Sequence, residues 1–100
     1  MKKYLWLLLT AVITMNVQVS AYTPHECGGN ISALGKPCLE GRTVALNGVP
    51  LGSIVRYRGK HYIVEDRCGF DNTLDLFMES YEAAIKFGRK YNQEITVYLP

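Results

Sequence analysis

This 100-residue chain has no block of like charge, no internal repeat, no low-complexity tract and no Cys-x-x-Cys or His-x-x-x-His spacing. Each absence removes a class of function. Eleven Lys and Arg against nine Asp and Glu leave a formal net charge of +2, too small and too evenly spread for the basic footprint of a nucleic-acid binder. Arg56, Arg58 and Lys60 fall on alternate residues, as on the wet face of a strand. The scattered His25, His61 and three cysteines lack zinc-site spacing, so neither a metal nor a cofactor is expected. Without a linker or a repeat, the chain reads as a single domain.

What is present begins with an export signal. Lys2 and Lys3 form a basic start, Tyr4 to Met15 is an uncharged apolar run, and Val19-Ser20-Ala21 supplies small residues for a peptidase. The reading is a signal peptide over residues 1–21 and a domain over 22–100, secreted or periplasmic, with no stable membrane anchor after processing. The uncharged stretch to Ala21 sits at the lower edge of the roughly 17 to 25 residues that span a bilayer, and Asn16, Gln18 and Ser20 dilute it, so an uncleaved anchor is the second reading. About 80 residues remain, near the size at which one core only just suffices. Cys27, Cys38 and Cys68 all lie in this part, where thiols are usually oxidised. One bridge that includes Cys27 is expected, with Cys38 or Cys68 as its partner. Cys68 with His61 has the residue types of a nucleophile and base, but nothing marks Cys68 as activated, and a structural thiol is the simpler reading.

The rest of the chain reads as mainly β. "SAYTP" is a short strand candidate and "HECGGNISALGKPCLEG" a Gly-rich loop held over the domain. "RTVAL" is a strand ending at Asn47-Gly48. "GSIVRYRGKHYIVED" is a hairpin turning at Gly59-Lys60, where Gly in the first position suits a type II′ turn. After the strand "LDLFM", Ser80 caps a helix whose Tyr81, Ala84 and Ile85 share one face and which Gly88 ends; "EITVYL" is a last strand.

Two acids stand out in "EDRCGFDNTLDLFM". Asp71 and Asn72 have the chemistry of a turn, but Asp75 sits inside an apolar strand where composition gives no reason for it, and Asp66 ends the strand before. Acids on neighbouring strands can converge although nine positions separate them, and paired carboxylates in a partly dry groove can keep one proton for general acid catalysis. The tyrosines have the composition of strand packing.

The segments "SAYTP", "TVAL", "VPLGSIV", "VEDRCG", "LDLFM", "AAIKFGRK" and "ITVYL" occur in the order and approximate spacing of the three-aspartate domain family. The chain from Ser20 to Leu99 therefore resembles small six-stranded double-psi β-barrels related to membrane-bound lytic transglycosylase A and to expansin-like barrels. The resemblance implies a lytic transglycosylase that acts on peptidoglycan glycan strands, cleaving after N-acetylmuramic acid to leave an anhydro end. Asp66 and Asp75 match two of the family's aspartates, and Asn47 stands where the third acid is usual. By that match Asp75 is the acid and base and Asp66 tunes or orients it, while Asn47 and His25, the latter in the loop over the groove, are expected to contact substrate. The alternative is a non-catalytic, expansin-like module that binds glycan and loosens the wall.

Overall fold

The structure, a computed structural model, describes residues 12–24, 30–67 and 69–100. His25, Cys27 and Cys68 lie outside these, as does the start of the expected signal peptide.

Six strands close into a barrel. They are β1 (Val12–Tyr22), β2 (Thr43–Ala45), β3 (Ile54–Tyr57), β4 (Lys60–Asp66), β5 (Thr73–Phe77) and β6 (Lys90–Tyr98), and a single short helix among the described residues, α1 (Tyr81–Phe87), lies between β5 and β6. The order around the barrel is β1-β5-β2-β4-β3-β6. β1–β5 and β2–β4 run parallel, and the remaining neighbours run antiparallel. The fold is thus mainly β with one helix, as the sequence indicates; closure pairs each strand on two sides, and residues 12–17 of β1, beyond the reach of β5, pair with β6 alone.

Side-chain alternation sets what faces inward. Val17 and Val19 of β1, Val44 of β2, Val55 of β3, Val64 of β4, Leu74 and Leu76 of β5, and Ile95 and Val97 of β6 form one buried cluster. A second cluster, Tyr22, Ala45 and Phe77 with Cys38 against it, lies apart from the first.

β1 corrects the sequence reading most. Instead of a short strand at "SAYTP", eleven residues from Val12 to Tyr22 are strand. The apolar run that resembles a leader also carries the β-branched Val12, Ile13, Thr14, Val17 and Val19, residues that suit a pleated surface, and Val17 and Val19 are 1% and 0% exposed. The expected cut after Ala21 therefore falls inside β1 and would remove all of the strand but Tyr22.

Two smaller corrections follow from local geometry. The hairpin turns at Arg58-Gly59, one residue earlier than expected, and both have positive φ (51° and 77°). Positive φ at both central residues is the type I′ pattern, whose twist, like that of type II′, matches the flanking strands. In α1, the Ser80 hydroxyl accepts from the Ala83 N–H and Gly88 ends the helix at φ 68°, both as expected. The expected apolar face is not buried as a unit: Ala84 is buried, but Tyr81 and Ile85 are each 63% exposed. A helix of seven residues offers only about two turns, and the barrel is reached by the buried Ala84 and by the half-buried Phe87, which packs against the core cluster.

Candidate active site

Strand register brings the two aspartates into one row. Ser20 pairs with Asp75 across β1 and β5, Asp75 pairs with Ala45 across β5 and β2, and Ala45 pairs with Asp66 across β2 and β4. Directly paired residues share a face, so Ser20, Asp75, Ala45 and Asp66 point the same way on four adjacent strands. A register shift between Val44 and Ala45 aligns Asp66, and not Glu65, with Ala45. Val19 and Leu74 point to the barrel core, so the row occupies the outer face of the sheet.

The acids are not side by side, as the sequence reading expects. Ala45 lies between them, and two strand spacings put their Cα atoms about 10 Å apart. Ala45 is itself wholly buried, in the cluster with Tyr22 and Phe77.

Although on the outer face, Asp66 and Asp75 are only 6% and 5% exposed. The segment from Asn30 to Arg42 lies over them. It folds on itself through an Ile31–Pro37 bridge and a Cys38 N–H to Asn30 carbonyl bond of 2.6 Å. It is clasped to β4 through Glu65. The Glu65 carbonyl accepts from the Leu34 N–H at 3.0 Å, and its Oε1 accepts from Arg42 Nε at 3.1 Å and from the Thr43 hydroxyl at 2.7 Å. Glu65 is wholly buried, with Oε2 lacking a partner among the described residues.

The two aspartates differ in their partners. Asp66 Oδ1 accepts from the backbone N–H of Ala33 and of Arg67, each at 3.0 Å, and Oδ2 accepts from the Tyr22 hydroxyl at 3.2 Å. Three donors from three segments fix it in place. Asp75 Oδ1 accepts a short hydrogen bond from the Ser20 hydroxyl, and Oδ2 has no hydrogen-bond partner among the described residues. Asp66 is therefore an anchored acceptor, and Asp75 is the carboxyl group with an oxygen to spare for a ligand.

Asn47 lies two residues beyond Ala45. Its side-chain amide donates to the Phe70 carbonyl at 3.5 Å and to Asp71 Oδ1 at 3.3 Å, holding the β4–β5 loop over that end of the row. Asp71 accepts this bond and its carbonyl accepts from the Thr73 hydroxyl at 3.1 Å, in keeping with its reading as a turn residue. A cavity of about 160 Å³ lies at the far end of β5, among Tyr62, Leu76, Phe77 and Met78, and neither aspartate lines it.

Sequence reasoning missed Ser20, Tyr22, Ala45 and Glu65 as parts of this site. Ser20 and Tyr22 alternate on one face, which is a legible signal, but Ser20 and Ala21 carry the small-residue pattern of a cleavage site. Glu65 beside Asp66 is visible as an acid in an apolar strand, and its partner Arg42 lies too far away in sequence to be paired with it. Comparison of the chain with family models, curated proteins and solved structures finds no match.

Proposed function

We propose that this protein is an exported enzyme of the bacterial cell wall that cleaves peptidoglycan glycan strands as a lytic transglycosylase, on a double-psi version of the six-stranded barrel. The observation that carries this reading is the asymmetric acid row: an anchored Asp66, a less constrained Asp75, and a small Ala45 between them. The two parallel pairings, each between strands distant in sequence, suit the double-psi connection. The sequence segments that resemble the three-aspartate family supply the substrate class.

In this mechanism Asp75 does both proton transfers. Its carboxyl proton goes to the oxygen leaving C1 of N-acetylmuramic acid as that C–O bond breaks and oxocarbenium character develops. The resulting carboxylate takes the proton from the same sugar's 6-hydroxyl, whose oxygen bonds to C1. The products are a free 4-hydroxyl and a 1,6-anhydro end, and no water is consumed. One carboxyl group suffices, which fits a pair too far apart to share a proton directly. Ser20 holds Asp75, and Asp66 holds the covering segment through Ala33.

The second reading, a non-catalytic module that binds glycan and loosens the wall, is favoured by Asn47. Where the family's third acid is usual, this side chain is an amide engaged in tying down a loop. Incubating the protein with purified wall glycan and looking for anhydromuramoyl ends by mass spectrometry separates the two. Such ends support the transglycosylase, and binding without them supports the module. A bridge from Cys27 to Cys38 or Cys68 is part of the proposal, since oxidation outside the cytoplasm would tie the covering segment down.

A further inference from the structure

A continuous chain of contacts forms a rim beside the acid row. Arg67 donates to the Leu46 carbonyl at 2.5 Å, the neighbouring Asn47 donates to the Phe70 carbonyl, the guanidinium of Arg89 lies 6.0 Å from the centre of the Phe70 ring, and Arg89 donates to Gln18 Oε1 at 2.7 Å. Gln18 and Asn47 each lie two residues from the row along their strands, Gln18 from Ser20 and Asn47 from Ala45, so the rim stands about 7 Å from it.

The charges on this rim are unbalanced. Both guanidinium groups are anchored on neutral acceptors, a backbone carbonyl and an amide oxygen. Neither is in an ion pair among the described residues, whereas Arg42 is paired with Glu65. Each uses one hydrogen bond and has five N–H donors, so most of each fork faces outward. Two acids adjoin the rim and both are engaged: Asn47 holds one oxygen of Asp71, and Asp66 accepts from the backbone N–H of Arg67. Phe70 is 62% exposed although it sits in a loop fastened by its own carbonyl. An anchored, exposed ring beside two forked cations can stack on the apolar face of a sugar while the cations bind an anionic substituent.

We infer that Arg67, Phe70 and Arg89 form a subsite for a sugar that carries a carboxylate, and that the protein distinguishes acidic glycan from neutral glycan of the same backbone. This rests on the glycan reading above and narrows it. On peptidoglycan the matching groups are the lactyl carboxylate of N-acetylmuramic acid and the carboxylates of its stem peptide, whereas a polymer of N-acetylglucosamine offers neither.

The test is calorimetric titration of the full protein carrying Asp75→Asn, so that glycan is not turned over. The two probes are peptide-free oligomers of alternating N-acetylglucosamine and N-acetylmuramic acid, and N-acetylglucosamine oligomers of equal length. The expected result is at least tenfold tighter binding of the muramic oligomer, a preference that shrinks with added salt. Arg89→Gln and Arg67→Gln should each remove most of that preference at an unchanged melting temperature, with Arg89→Lys retaining part of it. Equal affinity for both probes, binding of neither, or an undiminished preference in both Gln variants overturns the subsite. Anhydro ends formed by the unmutated protein without any such preference would overturn the subsite and leave the cleavage reading intact. The preference without anhydro ends would support the subsite and overturn cleavage.

Discussion

Asp75 and Asp66 are the same residue type in one row, and their neighbours give them different expected behaviour. Asp75→Asn keeps the shape that receives the Ser20 hydroxyl but cannot shuttle a proton, so glycan cleavage should fall by about 10² to 10⁴-fold with little change in melting temperature. Asp66→Asn should do the reverse. It replaces a carboxylate that accepts from two backbone N–H groups and a tyrosine hydroxyl, at a cost of about 1 to 2 kcal/mol in stability, read from urea denaturation. Ser20→Ala tests positioning: losing one buried hydrogen bond should slow cleavage about tenfold while glycan binding stays within a factor of two. A separate residue contributes to the loss of stability at alkaline pH. Burial, and then the nearby Tyr57, hold the Tyr62 hydroxyl above its usual pKa. Its contribution to stability is therefore full below about pH 10, the unfolded value, and is lost as pH rises through the higher folded value. Urea denaturation between pH 9 and 11 should show a steeper decline for the natural protein than for Tyr62→Phe.

Among the elements, β2, the β3–β4 hairpin, β5, α1 and β6 were legible because local patterning decides them: alternating apolar residues, a Gly-containing turn, a Ser cap and a terminal Gly. β1 was legible only at its end. Its apolar content satisfies both a leader and a buried strand, and pairing with β5 and β6, which decides between them, is a long-range fact. Both acids were visible as misplaced charges, but their separation was not, because it depends on β2 lying between β4 and β5, with a register shift beside Ala45 setting the alignment. The exposed Tyr81 and Ile85 show the same limit: periodicity marks a face, and only packing decides whether it is covered. The segment over the acids depends on the Arg42–Glu65 pair, where a partly exposed cation meets a wholly buried carboxylate. Arg42→Ala should cost about 1.5 to 3 kcal/mol and increase amide exchange at Ala33 and Leu34, measured by hydrogen-exchange mass spectrometry, with Val44 and Val64 in the barrel exchanging as slowly as before.

At the scale of the whole molecule, the barrel closes only through β1, which pairs with β5 on one side and β6 on the other. A chain beginning at Tyr22 lacks the buried Val17 and Val19 and the Ser20 that holds Asp75, and should show no cooperative thermal transition by circular dichroism. A chain beginning at Val12 should melt cooperatively. On the export reading the cut lies ahead of β1 or the leader stays attached, and N-terminal sequencing of the secreted protein distinguishes the two. The central claim is that closure sets Asp75, with its spare oxygen, in one row with an anchored acid, and that this carboxyl group shuttles the proton in glycan cleavage. Its most direct test is mass spectrometry of purified peptidoglycan incubated with the natural protein and with Asp75→Asn, each shown to be folded by its melting curve. Anhydromuramoyl ends with the first and none with the second are predicted, whereas equal yields from both proteins, or none from the natural one, would contradict it.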